Sequence, residues 1–257
     1  MIELIVIIFL ILIITYLFYK HRRNSLEILQ LENEQLEQLP ELLEELQPVV
    51  IRGISPPKGL TQEALLKIPR LANFSVGGQP LSEVLAHPEI ALTAAGAPTI
   101  AQAGREQLAK ELAIPVWADH TWLPILSQST WSGFLGCMRT EAFIGGLGMT
   151  RTVAKYTCIM PTEGTFTLSI LSKESESFLP ESWQYRYMSS LTLNDTPLVA
   201  DLKFLDIVLR PGTTVCLPPH TIISIEPKSD TQTKLFAFAS VEYHEPITLI
   251  VKSFSQN

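Results

Sequence analysis

The side chains able to do polar chemistry are few and scattered. The five histidines fall at 21, 87, 120, 220 and 244. His120 directly follows Asp119. Adjacent residues of a strand point to opposite faces, so this pair would not easily chelate one metal, and a hydrogen-bonded histidine beside Trp117 and Trp122 is expected instead. His220 follows Pro219, and His244 beside Glu242 and Glu245 reads as a surface histidine near the last strand. Cys137, Cys158 and Cys216 are odd in number, widely spaced and without a CxxC, which suggests neither a disulfide framework nor a zinc site. They read as reduced, semi-buried thiols. Gly145-Gly146-Leu147-Gly148 does not open a helix within a βαβ unit, so it makes a poor phosphate cradle. GxSxG, P-loop and HExxH motifs are absent from the sequence.

The elements that must position such residues are mostly strands. From Phe134 onward the chain alternates apolar runs with Gly and Pro punctuation. Strands are expected near 142–144, 153–160, 166–171, 207–209, 214–217, 222–226 and 235–243, joined by a long polar connection over 172–201. In the stretch 206–226, Ile207 and Leu209, then Val215 and Leu217, flank Pro211-Gly212, and Pro218-Pro219 breaks the second run before Ile222. That pattern reads as a hairpin. Before the strands come short helix candidates: one capped by Thr61, one by Ser82, and a longer one over 99–113. The Trp- and Pro-rich segment 114–131 is expected to be a packed loop across the mouth of a barrel.

Three blocks in order carry a family resemblance: QPVVIRG at 47–53, FIGGLGMTRTVAKYTCIMPTEGTFTLSIL at 143–171, and DIVLRPGTTVCLPPHTIISIE at 206–226. Over roughly Pro48 to Pro246 the chain resembles the JmjC-like cupins of the asparaginyl-hydroxylase type. The resemblance implies a mainly β fold: a double-stranded β-helix (cupin or jelly-roll) barrel with N-terminal helices. In that family two histidines and one carboxylate hold iron, and a lysine binds 2-oxoglutarate. Here Ala154 and Tyr156 stand where the first histidine and the carboxylate belong, Ile223 or Ser224 where the distal histidine belongs, and Phe166 at the lysine position. Aliphatic and hydroxyl side chains do not replace an imidazole or an anionic oxygen at a first-row metal. The expectation is therefore a catalytically inactive domain with no metal and no cofactor, acting as a binding or scaffold protein through a surface of Trp117, His120, Trp122, Trp131, Trp183 and His220. One alternative is an Fe(II)/2-oxoglutarate-dependent protein hydroxylase with unrelated ligands such as His120, His220 and His244. Another is a sugar- or small-ligand-binding jelly roll.

Charge and hydropathy divide the remainder. The chain has 257 residues and a formal charge of −7. Seven glutamates between Asn24 and Ile51 meet no Lys or Arg, whereas the part from Arg52 onward carries 16 basic and 18 acidic residues. Such near-neutrality gives no electrostatic case for nucleic acid. Residues 1–19 are almost wholly apolar and are followed by Lys20-His21-Arg22-Arg23. As a helix they would span roughly 27 Å at about 1.5 Å per residue, close to a hydrocarbon core of about 30 Å. A transmembrane anchor is expected there, with the C-terminal domain cytoplasmic by the positive-inside rule. Residues 20–47 are then a basic stop and an acidic helical stalk, in which Leu29, Leu36, Leu39, Leu43 and Leu46 have coiled-coil spacing and Pro40 makes a kink. The stalk offers self-association, or one Leu face packed on its own domain. Residues 48–257 form the cupin-like domain, with the membrane and an unidentified protein as partners.

Overall fold

The computed structural model describes residues 6–7, 9–11, 13, 27–87, 96–127, 136–228 and 235–245. The expected helical stalk is corrected. The basic stop at 20–26 lies outside the described residues; the described part of the stalk forms a strand, β1 (Leu29–Glu32), continues through a 3-10 helix over Asn33–Gln38, and ends in helix α1 (Leu39–Glu44). β1 runs parallel to β2 (Val49–Arg52), with Leu31 opposite Ile51. Leu31, Leu39 and Leu43 are buried in the domain's own core, while the glutamates at 32, 34, 37, 41, 44 and 45 face solvent. The leucine spacing is thus consumed by packing on the sheet. Pro40 sits in the first turn of α1, where its missing N–H leaves no helical hydrogen bond unmade.

Among the described residues no helix is long and apolar enough to cross a membrane. This corrects the expected single-pass span, the membrane attachment and the cytoplasmic placement drawn from it. Of residues 1–19 only 6–7, 9–11 and 13 are described, as helix, and the others lie outside the described residues. A span requires about 20 consecutive apolar helical residues.

Helix α2 (Gln62–Leu66) starts where expected, with the Thr61 hydroxyl accepting from the Ala64 N–H at 3.3 Å. Helix α3 (Leu81–Ala86) starts two residues earlier than a Ser82 cap would have it, so Pro80 holds the cap position. The longer helix α4 covers Gln102–Glu111. The expected loop over 114–131 is corrected as far as it is described: Ile114–Thr121 (α5) and Leu123–Leu126 (α6) are helical, with Pro115 and Pro124 in their first turns. Both α4 and α5 pack against strand β5 (Cys137–Ile144).

The remaining strands are β3 (Ser75–Val76) and β4 (Gln79–Pro80), which pair with each other in a small separate ribbon, and β6 (Leu147–Arg151), β7 (Tyr156–Glu163), β8 (Phe166–Leu171), β9 (Phe204–Leu209), β10 (Thr213–Leu217), β11 (Ile222–Pro227) and β12 (Ala237–His244). The larger sheet has the order β1-β2-β10-β7-β12-β5, and the smaller one β6-β11-β8-β9. Alternation along the strands makes three layers. On one face of the large sheet, Ile51, Ile144, Tyr156, Cys158, Cys216 and Tyr243 meet the helices. On its other face, Phe143, Ile159, Val215 and Phe238 meet Leu147, Phe166, Ile170 and Ile223 of the small sheet. The connection 172–203 covers the outer side of the small sheet, where Met188 and Leu191 pack on Met149 and Ile222.

The fold is mostly sheet, as expected, but the closed barrel is corrected to two open sheets. The chain changes sheet at each sharp corner, which interrupts the hydrogen-bond ladder between consecutive strands. Gly145 (φ +87°) turns β5 into β6, and Gly164 (φ +85°) turns β7 into β8. Pro211-Gly212 behaves likewise. Gly212 takes φ +90° and the Thr213 N–H donates to the Arg210 carbonyl at 2.9 Å, a tight turn with Pro and Gly at its centre. The expected hairpin is therefore a corner, because β9 pairs with β8 while β10 pairs with β2 and β7.

Candidate functional site

A cavity of about 160 Å³ lies between the two sheets. On the large sheet, period-two geometry turns Phe238, Ser240 and Glu242 of β12 inward, with Glu141 and Phe143 of β5 and Thr157 and Ile159 of β7 beside them. Register aligns them in rows: Ser240 is opposite Glu141 and Ile159, and Glu242 is opposite Arg139 and Thr157. The deep end is apolar, with the Phe143 and Phe238 rings stacked at 4.5 Å.

The opposite wall depends on an irregularity. Thr150 pairs with Ile223 and Leu147 with Ile225, so a three-residue step on β6 meets a two-residue step on β11. This bulge lets Leu147 and Thr150, at odd spacing, both line the cavity. Gly148 sits in the extra step, against the backbone of Tyr185, which itself holds φ +60° and lines the rim. The Tyr185 N–H donates to the Met149 carbonyl at 2.9 Å, and the Gly148 N–H to the Gly96 carbonyl at 2.6 Å. Together these bonds cover the edge of β6 and shape the rim.

Charge at the mouth is internally neutralised. Arg105 Nε donates to Glu141 Oε2 at 2.7 Å and Arg105 Nη1 donates to the Ile100 carbonyl at 2.9 Å, while the guanidinium lies 4.7 Å from the centre of the Phe143 ring. Arg139 contacts the second Glu141 oxygen at 3.1 Å and also pairs with Glu106. Arg151 pairs with Glu176 at 3.1 Å, and Glu242 Oε2 bonds His244 Nε2 at 2.9 Å. The charged lining residues are Arg105, Arg151, Glu141 and Glu242, which are balanced in sign. Between them, the Thr157 hydroxyl is only 5 % exposed by residue and finds no hydrogen-bond partner among the described residues. A buried hydroxyl without a partner costs about 1–3 kcal/mol.

The positions implied by the family resemblance disperse. Ile223 lines the cavity. Ala154 is buried in the connection between β6 and β7, and the cavity is lined there by Val153. Tyr156 projects from the opposite face of β7 into the helical layer, stacked on Tyr243 at 6.4 Å, and burial raises its phenol pKa, with the Glu245 charge adding to the shift. Phe166 fills the intersheet core, edge-on to Phe236 and Phe238 at 5.8 and 5.5 Å. Ser224 faces away, its hydroxyl accepting from the Met188 N–H at 3.3 Å.

The expected tryptophan surface is not assembled either. Trp122 is fully buried in the helical layer, and Trp117 is half-buried against the same core. Trp183 packs at the outer side of the small sheet, and Trp131 lies outside the described residues. His120 is exposed on α5. His220 takes φ +59° at the β10–β11 corner, where its N–H donates to the Thr152 carbonyl at 2.8 Å. His244, expected at the surface, is buried. Among the described residues no group of three or more His, Cys, Asp or Glu could hold a metal ion. Glu141 and Glu242 are the carboxylates of the cavity, and Glu141 is already engaged by two arginines.

Sequence reasoning missed Thr157, Ser240, Glu141, Glu242 and Arg105. The available signal was a glutamate inside each of two apolar strands, CMRTEAFI and AFASVEYH. The chain matches no family model, and no curated protein matches it.

Proposed function

We propose that this domain binds a small, neutral, hydroxyl-bearing molecule in the intersheet cavity, with no iron or 2-oxoglutarate taking part. The observation that carries this reading is the buried, unpartnered Thr157 hydroxyl in the cavity wall. A ligand hydroxyl would satisfy it and remove a desolvation cost. Glu242 and Ser240 stand beside it as further hydrogen-bonding groups, while Phe143, Phe238 and Ile223 supply the apolar floor. Balanced charge in the lining favours a neutral ligand over an ion. The volume is below the roughly 300 Å³ at which drug-sized pockets begin, which fits a compact polyol or monosaccharide.

On this reading the likeness to the JmjC-like cupins is that of a binding relative without the iron chemistry. A facial triad needs two imidazoles, and the cavity lining contains none. The protein-scaffold alternative would use β9, where Phe204 and Val208 are exposed beside Asp206. Two exposed apolar side chains are ordinary on a protein surface, whereas an orphaned buried hydroxyl specifies a chemistry.

A thermal-shift and calorimetric screen of the purified chain against neutral polyols and monosaccharides tests the reading. A ligand at 100 times its Kd should stabilise the wild type by about 2.7 kcal/mol, and Thr157→Val should lose most of that gain. Equal binding by wild type and Thr157→Val would move the ligand elsewhere. Stoichiometric iron with succinate formed from 2-oxoglutarate would replace this reading with the hydroxylase.

A further inference from the structure

Cys158 of β7 and Cys216 of β10 are in register, directly opposite each other on the helix-facing side of the large sheet. Their sulfurs lie 2.8 Å apart, and both residues are fully buried. Directly opposed residues of antiparallel strands have Cα atoms about 4.5–5.5 Å apart, inside the range of about 4.4–6.8 Å that a disulfide spans. Val49 of β2 and Val241 of β12 flank the pair, completing an apolar row across four strands. Burial, and then the neighbouring Cys158, push the Cys216 thiol pKa up. A protonated thiol in an apolar row is a poor nucleophile, so the geometry suits a pairing partner better than a catalyst.

We propose that Cys158 and Cys216 form a reversible cross-strand disulfide, with a low-molecular-weight disulfide such as oxidised glutathione as oxidant. One cysteine thiolate attacks the oxidant and releases one glutathione thiol. The second thiolate then attacks the mixed disulfide, forming the Cys158–Cys216 bond and releasing the second glutathione thiol. Two protons and two electrons leave the protein pair, and one oxidant disulfide becomes two thiols. Because the pair is buried, exchange requires local opening of the sheet or takes place during folding. The bond would tie β7, which presents Thr157 to the cavity, covalently to β10. Exposed Cys137 has no part in it.

The test is to equilibrate the full chain with oxidised glutathione, including one cycle of unfolding and refolding, then denature it and count titratable thiols. Three thiols should fall to one, with an intact mass lower by two hydrogens and full recovery on reduction. Peptide mapping should join the Cys158 and Cys216 peptides, and Cys137→Ser should still lose the two hydrogens. Cys158→Ser and Cys216→Ser should each keep their full mass. The wild-type thiol count does not depend on whether those variants fold. Three thiols after equilibration, a pairing through Cys137, or glutathione adducts alone would overturn the proposal.

Discussion

Replacing Glu141 with leucine would strand Arg105 inside the protein. Arg105 Nε donates to Glu141 Oε2 at 2.7 Å, and the two side chains are 13 % and 9 % exposed. Arg139 retains Glu106 when Glu141 is lost, so the uncompensated charge is Arg105. That guanidinium keeps the Ile100 carbonyl at 2.9 Å and the face of Phe143 at 4.7 Å. Removing one partner of a buried pair costs about 3–5 kcal/mol, and the two surviving contacts put this case near about 3 kcal/mol. At about 2–4 °C per kcal/mol for a domain of this size, Tm should fall by about 6–12 °C. Arg105→Met should cost a similar amount, because Glu141 would keep Arg139 alone. The double variant leaves no stranded charge, and replacing a buried pair with apolar groups is often close to neutral. Urea unfolding of wild type, both single variants and the double variant completes the cycle, with the double variant expected to cost about 6 kcal/mol less than the sum of the singles. A double variant that costs the sum of the singles would refute a desolvated pair, as would a Glu141→Leu shift under about 2 °C.

Thr157→Val keeps the β-branched shape and removes the orphaned hydroxyl, so it should raise the stability of the free protein by about 1 kcal/mol while weakening ligand binding. A loss of more than about 1 kcal/mol in urea unfolding would mean that the hydroxyl is already satisfied. Gly148→Ala would drive a methyl group into the Tyr185 backbone at the bulge. Overpacking of this kind costs about 1–3 kcal/mol, and Gly77→Ala, strained at φ +62° but in open space, separates the packing effect from the backbone effect. Burial raises the phenol pKa of Tyr156 and, with the Glu226 charge adding, that of Tyr187. Their unfolded value is about 10, so their contribution to stability is complete below that pH and is lost as pH climbs through the raised folded values. Near-UV absorbance should show Tyr156 and Tyr187 ionising above the ordinary tyrosine range, with Tyr156→Phe removing part of that high-pH change. A single transition near pH 10 that includes both would contradict the burial.

Strand existence was legible where apolar runs met Gly or Pro: the expected 166–171 strand is observed as Phe166–Leu171, and the expected 222–226 strand as Ile222–Pro227. The Thr61 cap was legible for the same local reason, since a hydroxyl and the N–H three residues on are set by one turn of chain. Patterns that local and long-range forces can both explain were not legible. The leucines at 39 and 43 fit a stalk as well as a core, and only the presence of β2 and the helical layer decides between them. Trp117 and Trp122 looked like a mouth because aromatic, Pro-rich segments often are, yet helices α5 and α6 turn them toward the large sheet.

The linear order of residues determined a mainly β domain preceded by short helices, the tight turn at Pro211-Gly212, and the lack of histidine between Gly145 and Leu171. These follow from composition, periodicity and turn chemistry, each contained within a few neighbouring residues. Tertiary structure alone decided which face of β7 meets the cavity, placing Thr157 there and Tyr156 among the helices. A one-residue change of register exchanges the two faces of a strand, and here both faces are buried, so hydrophobic alternation could not mark the difference. The bulge at Gly148, the meeting of Arg105 with Glu141 across 36 residues, and the contact of Cys158 with Cys216 across 58 likewise arise from pairings between distant segments.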